Sequence, residues 1–589
     1  MASDTALALS EAQVERTTTK PPRYWPAVVM LAAYWAYAFT CRHLELSMGT
    51  LFFSRMIALL LLLLSFSIWW LTNRRIPRGE RWLTVAITLA GAALAVPLTR
   101  STLGPAVVVL GLLFVFTVGT VWLVVSKKAA PRVRRWGLWT VILLVWGGCT
   151  LVRWNGLSGD QESDVHWRWE PTAEELFLAE HHHSTGDAAE DSAAAVELTA
   201  ADWPEFRGPH RDGRIEERGL ALDWKTAPPR LMWKKRVGPS WSSVIVVGGR
   251  LYTQEQRGQV EAVVCYEAAT GRELWAHEEA GRFEETVSGA GPRATPTFAQ
   301  GRIYAAGASG KLSCLDAASG RAIWSRDLVR DAGASVPQWA FSSSPLVVEG
   351  LVVAFAGGPE DNGLLAYRAD TGEPAWKVAT GKTSYSSPQL VSLDGTTQIL
   401  FLSDRGLVGI EPASGVVLWE RSLVEAKMQL PTIQPHLVGD TELVVHYGDR
   451  LALLDVHHRD GVWSVTPRWV SRALRPSFND VVVHDGAIYG FDEGIFCCLD
   501  LQTGKRRWKG SRYGHGQVML LAEQSLLLVV TERGKAILLA TNPERQEEVG
   551  SFQAIEGKTW NHPVIAHGRF YLRNDEEMVC YLLDPNATP

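Results

Sequence analysis

Two different patterns of apolar and polar positions divide the 589-residue chain. Between residues 24 and 153 apolar positions run together in five stretches, 24–41, 50–71, 82–98, 104–125 and 136–152. Each reaches the roughly 17 to 25 residues that cross about 30 Å of hydrocarbon as a helix. The runs LLLLLLSFSIWW and VVVLGLLFVFTVGTVWLVV hold no charge, which sets them apart from a buried soluble helix or a single cleavable leader. From residue 202 onward the apolar residues instead alternate in short runs between glycine-containing turns, the period-two signature of β-strands.

Charge orients the first region. Arg16, Lys20 and Arg23 precede the first stretch, Arg74, Arg75, Arg78 and Arg81 lie between the second and third, and Lys127, Lys128, Arg132, Arg134 and Arg135 between the fourth and fifth. The alternate connections hold Arg42, Arg100 and Arg153. By the positive-inside rule residues 1–23 form a cytoplasmic tail, 24–153 a transmembrane module of five helices, and the remainder lies outside the cytoplasm. Arg55 snorkels to the interface in this reading. Residues 154–201, with AEHHHSTGDAAEDSAAAVE, turn to Asp, Glu, Ala, Ser and His and predict an acidic, disordered or partly helical linker. Its triplet His181, His182 and His183 reads as solvated linker, with weak metal binding as the alternative.

Residues 202–589 repeat one unit. A Gly-Arg or equivalent turn leads into a strand with an aromatic, then a strand ending in Cys or Gly. An acidic-Ala-x-Thr/Ser-Gly turn and a strand with Trp follow. GGRLYTQ…VVCYEAATGRELW, QGRIYAAGASGKLSCLDAASGRAIW and GAIYGFDEGIFCCLDLQTGKRRW are three of six full copies. A seventh, SLLLVVTERGKAILLATNPERQ, lacks the Trp, and an eighth stops after its third strand. The terminal Trp residues fall at 275, 324, 376, 419, 469 and 508, so they are spaced 39 to 52 residues apart, the size of a four-stranded blade. LMWKKRVG, with Trp233, can supply the strand missing from the eighth copy and close the ring. An all-β eight-bladed propeller preceded by an all-α module is therefore expected, with seven blades if the degenerate copy is not one.

Composition sharpens this picture. The 25 Trp exceed the 18 Phe and 13 Tyr, and they divide between ends of the apolar stretches and the repeats. A net charge of −5 gives no basic excess for nucleic-acid binding.

The D-A-x-T-G-x-x-x-W hairpin resembles the tryptophan repeat of the pyrroloquinoline quinone (PQQ) family of β-propellers over roughly residues 203–583. DWPEFRGPHRDG is similar to the opening of quinoprotein dehydrogenases and of envelope proteins with PQQ-like propellers. The resemblance implies an eight-bladed propeller whose active members bind PQQ and calcium over the channel and oxidise alcohols or sugars. Many members also have a disulfide between adjacent cysteines. Here Cys498 aligns with Cys265, Cys314 and Cys580 at a packing position, leaving only Cys497 extra in a strand. No carboxylate pair reads as a calcium site, and Glu284 and Glu285 read as a solvated face.

The segments before each blade's innermost strand should converge on one end of the channel. They carry Trp241, Arg293, Trp339, Tyr385, Asn479, Asp480, His515, Trp560, Asn561 and His562. Such aromatic and hydrogen-bonding groups suit a sugar, a quinone or a peptide segment, so a small ligand or glycan is expected at the propeller mouth. Strand capping and blade-to-blade bonding are the alternative for the Ser and Pro among them. The expectation is a multi-pass inner-membrane protein, in contact with membrane lipid, whose periplasmic or extracytoplasmic propeller is a non-catalytic binding or assembly scaffold for envelope proteins or a small ligand. The alternative is a PQQ-dependent alcohol or sugar dehydrogenase passing electrons to quinone.

Overall fold

In the computed structural model the described residues are 22–41, 48–99, 106–159, 163–184, 195–423 and 431–584. They form two compact units, one of helices and one built around a propeller.

The helical unit contains α1 (Trp25–Thr40), α2 (Met48–Thr72), α3 (Arg78–Leu98), α4 (Ala106–Val125) and α5 (Pro131–Leu151). All five expected apolar stretches are helical, but among the described residues only three helices are long and apolar enough to cross a membrane: Thr50–Thr72, Arg78–Leu98 and Val107–Lys128. This corrects the count of five. Helix α1 has 16 residues, and α5 opens with Arg132, Arg134 and Arg135 in its first turns. The helices pack through Trp residues seated on glycine. A Cβ added at Gly91 of α3 or Gly111 of α4 would lie 2.4 or 2.3 Å from the Trp146 indole of α5. Trp139 donates from Nε1 to Thr84 Oγ1 (3.1 Å) beside an Arg135–Glu80 ion pair of 3.1 Å.

The propeller has eight blades. Blade 1 comprises Ile245–Val247, Arg250–Arg257, Val260–Glu267 and Glu273–Ala280, in order from the channel outward, and blades 2 to 6 repeat this antiparallel order. Blade 7 gains a fifth strand, Arg214–Ile215, parallel to its innermost strand Gln517–Leu521. In blade 8 the outer strand is Arg230–Arg236, paired with Glu577–Leu582, so both ends of the domain close one sheet as the sequence predicts.

Each blade shifts register at the same third-strand residue. The residue before the shift faces the outer-strand Trp: Cys265 opposite Trp275, Cys314 opposite Trp324, Cys498 opposite Trp508 and Cys580 opposite Trp233. The bulge turns the indole onto the next blade. Trp233, Trp275, Trp324, Trp376, Trp469 and Trp508 donate from Nε1 to Ala268, Ala317, Ala369, Pro412, Leu501 and Asn542 carbonyls at 2.9 to 3.2 Å. The indoles of all but Trp508 lie on the turn glycines Gly271, Gly320, Gly372, Gly415 and Gly504, where a Cβ would stand 2.5 to 2.9 Å from the ring. These glycines need positive φ as well (64° to 76°).

Blades 4, 5 and 7 depart from the pattern. Blade 5 has a longer hairpin between Leu451–Arg459 and Val462–Ser471. Trp419 turns to Gln398 in its own blade (2.7 Å), and Trp463 stacks on His458 at 4.4 Å. In blade 7 the Trp position is Gly550, opposite Leu538, and Trp224 packs on that glycine from the segment before the ring.

The stretch 154–201, expected to be a linker, is ordered in part: α6 (Ala173–Ser184) packs on blade 1. Thr172 and Glu175 form a capping box, with Glu175 N–H donating to Thr172 Oγ1 (2.9 Å) and Thr172 N–H to Glu175 Oε2 (2.7 Å). Phe177 is buried, Arg282 donates to both carboxylate oxygens of Glu174, and Arg257 meets His181 at 3.1 Å. The side chains of His182 and His183 lie outside the described residues.

Replacing the indole in Trp275→Phe removes a donor but little bulk and is expected to cost about 1 kcal/mol. Gly320→Ala, which drives a methyl into the Trp275 ring at positive φ, should lower the thermal midpoint more. Thermal unfolding of the two variants checks that order.

Candidate functional site

Three layers occupy the channel end and interior. The first is a belt joining neighbouring blades just before their innermost strands. Ser243 N–H donates to Thr295 Oγ1, Thr295 N–H to Ser344 Oγ and Ser344 N–H to Ser387 Oγ, at 2.9 to 3.0 Å. On the other half of the ring amide side chains take over. Gln434 Nε2 donates to Ser387 O (3.3 Å), Asn479 Nδ2 to Gly516 O, Gln517 Nε2 to Trp560 O (2.9 Å) and Asn561 Nδ2 to Ser242 O (2.7 Å). Asn479 and Asn561, expected at a ligand surface, are therefore buried blade-to-blade bridges.

The second layer is a plug formed by the DWPEFRGPHRDG segment among the innermost strands. Arg211, buried, donates to the carbonyls of Pro388 (2.8 Å), Pro345 (2.5 Å) and Ser344 (3.4 Å), to Thr297 Oγ1 (3.2 Å) and to Glu205 (2.5 Å). Arg207, equally buried, donates to the Asp212 and Val481 carbonyls at 3.0 Å and lies 3.4 Å from Asp480. Asp480 also meets His436 Nε2 at 3.2 Å and His562 Nε2 at 3.8 Å. Burial alone would raise the Asp480 carboxyl, but Arg207 and His436 outweigh it and hold it at about 2. Burial pushes His562 down to about 3 and His446 to about 4. Asp480 and His562 thus belong to the interior, locked in a network closed on itself. Beside the plug lies a cleft of about 360 Å³, lined in part by His210, Asp212, Gln389 and His436.

The third layer is the rim, where the remaining predicted residues meet in an arc. Phe478 faces Trp560 at 4.9 Å and His515 at 5.5 Å. Trp560 in turn faces Trp241 at 4.8 Å. Lys558 Nζ lies 4.6 Å from the Trp560 ring and 5.1 Å from that of Trp241. Trp241 Nε1 donates to Ser288 O (2.8 Å) and Trp560 Nε1 to Glu532 Oε1 (2.9 Å). Arg293 donates to Ser288 Oγ at 2.5 Å, lies 3.6 Å from Glu285 and sits over Phe283. Burial lowers its pKa to about 10, so it stays cationic at neutral pH. Trp339 and Tyr385 form the end of the arc, with ring centroids 5.4 Å apart and the Trp339 N–H donating to the Tyr385 hydroxyl (3.3 Å). The main chain of Leu157 and Gly159 is bonded into the rim, donating to Val287 O and Glu532 Oε1.

Of the ten predicted residues, Trp241, Arg293, Trp339, Tyr385, His515 and Trp560 belong to this arc. Glu285 is part of it too, where a solvated face was expected. Sequence reasoning missed Lys558 and Glu532, whose only signal was proximity to Trp560 or a blade turn. It also missed Arg207 and Arg211, which repeat at i and i+4 inside a glycine- and proline-rich segment.

Residues 260–510 match the PQQ-repeat family model described as outer membrane protein assembly factor BamB. The chain is 28% identical over 192 residues to the quinohemoprotein alcohol dehydrogenase ADH-IIG of Pseudomonas putida, 32% of this chain and 25% of that one. It is 26% identical over 265 residues to the outer membrane protein assembly factor BamB of Moranella endobia, 41% of this chain and 63% of that one. The match thus spans only a quarter of the dehydrogenase. Among solved structures, quinohemoprotein alcohol dehydrogenase from Comamonas testosteroni aligns with TM-score 0.48 at 13% identity over 71% of this chain and 85% of that one. BamB from Moraxella catarrhalis aligns with TM-score 0.44 at 15% identity over 61% and 99%. Over residues 260–510 the propeller of this chain is PQQ-like in its repeats. It is related both to BamB assembly factors and to quinoprotein dehydrogenases.

Because His562 and His446 are held neutral in the fold and would be charged when unfolded, stability is full above about pH 6.5 and falls as pH drops toward their folded values. Each contributes a slope of up to about 1.4 kcal/mol per pH unit. The thermal midpoint should drop between pH 7 and pH 5, and His562→Gln should lessen that drop. An unchanged slope in the variant would contradict this account.

Proposed function

We propose that the chain is a multi-pass membrane protein, with its N-terminal tail cytoplasmic, that displays a non-catalytic PQQ-like propeller in the periplasm as a binding or assembly scaffold. One observation carries this reading. The half-buried indoles of Trp241, Trp339 and Trp560 and the Lys558 ammonium gather on the rim, with His515, Tyr385 and Arg293 buried behind them, while the Asp480 carboxylate is turned inward against Arg207 and two histidines. An arc of indoles, a phenol and two cations suits a peptide segment or a glycan from another envelope component. The match to BamB assembly factors supports the same reading. The charge-free runs and the positive residues of the connecting loops support membrane insertion.

A second reading is a PQQ- and calcium-dependent dehydrogenase that passes electrons to quinone, favoured by the matches to quinohemoprotein alcohol dehydrogenases. The residues present do not fit that cofactor set. Cys497 and Cys498 are adjacent in one strand and point into separate cores, Cys498 with Tyr489 and Phe496 and Cys497 with Leu474 and Ile488. Asp480 cannot serve as a free base beside a quinone while it neutralises buried Arg207.

Two experiments separate the readings. A photo-reactive phenylalanine analogue in place of Trp339, in cells, should cross-link a discrete envelope protein or glycan, and Trp241→Ala with Trp560→Ala should reduce that adduct several-fold. Incubation of the purified protein with PQQ and calcium should give no dye-linked oxidation of alcohols or aldoses. Activity that disappears in Asp480→Asn would replace the scaffold by the dehydrogenase.

A further inference from the structure

Directly after α5 the chain forms a two-stranded hairpin, Val152–Leu157 paired with Ser163–Trp167, whose residues up to Gly156 and from Ser163 belong to the helical unit. Every residue of its second strand is exposed. Successive strand side chains point to opposite sides, and here Val165 and Trp167 share one side. Val165 is 54% exposed, Trp167 49% and, in the turn that follows, Trp169 65%. The two indoles stack on each other at 5.0 Å with planes 8° apart, so they form one flat apolar surface with no other ring against it among the described residues. The even positions are polar and satisfied locally: His166 meets Asp164 at 2.9 Å and Glu170 at 3.4 Å.

The hairpin is tied to the ends of two apolar helices. Arg168 donates from its backbone N–H to the carbonyl of Leu151, the last residue of α5 (2.8 Å), and from its guanidinium to that of Leu98, the last residue of α3 (2.9 Å). Arg153, buried at the hairpin's base, donates to the Glu170 carbonyl (2.8 Å) and to Asn155 (2.9 Å). Carbonyls at a helix C-terminus lack intrahelical partners, and Arg168 satisfies one on each helix. This fixes Trp167 and Trp169 at the level where α3 and α5 end. If α3 crosses a bilayer, that level is the headgroup boundary, where indole is favoured because its ring is apolar and its N–H polar.

We infer that the Val165–Trp167–Trp169 face is a lipid contact, an interfacial anchor that holds this hairpin in the headgroup layer on the side where α3 and α5 end. The inference rests on the membrane reading above. It gives Trp167 and Trp169 a lipid surface as partner, and it does so without the propeller.

The test uses the full-length chain in phospholipid nanodiscs, with Val165→Cys labelled by an environment-sensitive NBD fluorophore and Phe114→Cys of α4 labelled as a control. Unsubstituted protein sets the background from the native cysteines. For the position-165 label the expected result is blue-shifted emission, quenched to about half by lipid bearing a nitroxide near the headgroup and less by one deep in the chains. Adding Trp167→Ser and Trp169→Ser should abolish that quenching. The control should be quenched chiefly by the deep nitroxide. Solvent-like, unquenched emission at position 165 with a quenched control overturns the anchor and leaves the membrane reading standing. An unquenched control overturns the membrane reading and the anchor with it. Blue-shifted but unquenched emission at 165 means that a protein surface covers the face, and this too overturns the lipid assignment.

Discussion

The interaction on which the propeller depends is the indole that leaves one blade and lies on a glycine of the next. Among the described residues no strand ladder links neighbouring blades, only single backbone bonds such as Trp241 N–H to Pro292 O and Tyr385 N–H to Pro431 O, so their relative orientation rests largely on side chains. Burying an indole supplies the larger part of the attraction, and the absent Cβ at Gly271, Gly320, Gly372, Gly415 and Gly504 lets the ring come that close. The Nε1–H bond is the smaller term, about 1 kcal/mol each, but it is directional and fixes how the blades are turned. Tyr252 and Tyr304 reinforce it by donating to the Ala317 and Ala369 carbonyls that Trp275 and Trp324 also use.

The inner belt is the counterpart at small radius. Hydroxyls of blades 2 to 4 accept from the preceding blade's backbone, while the amides of Gln434, Asn479, Gln517 and Asn561 in blades 5 to 8 donate to backbone carbonyls of a neighbouring blade. With both radii tied, the channel keeps its bore, and the two plug guanidiniums can stay buried. A buried guanidinium is costly unless its donors are met. Arg211 finds that match in carbonyls of three residues, a hydroxyl and Glu205, and Arg207 finds most of it in Asp480 and three main-chain oxygens, with only its Nε left without an acceptor.

What the sequence made legible follows this division. The Trp and Gly of each repeat are visible because the constraint recurs in every blade, and ring closure by LMWKKRVG follows from the one strand left over. Blade 7 looked degenerate because its indole is contributed by Trp224, far off in the chain, and no periodicity carries that information. Asn479 and Asn561 were indistinguishable from ligand-binding amides, since an amide that bridges blades and one that faces a ligand have the same letter. The T-x-x-E box at Thr172 was readable as a helix start, but the acidic composition around it masked the signal. The apolar stretches fixed where helices lie. How many could cross a membrane turned on the arginines of α5 and the length of α1.

The separation of rim from interior bears on what the propeller can do. A general base works best with a pKa near the working pH. Asp480, held at about 2, and His562, pushed to about 3, lie far to the same side of neutrality. Their charges are therefore fixed under ordinary conditions: one carboxylate against one guanidinium, with the imidazoles neutral. Such a cluster stabilises the channel and offers no proton to exchange. On the rim the cations of Lys558 and Arg293 lie against aromatic faces, with Glu285 and Glu532 close by. Arg293 and Glu532 are largely buried and already paired, so the part-exposed Lys558 over its two indoles is the rim charge that a partner can reach at the smaller desolvation cost.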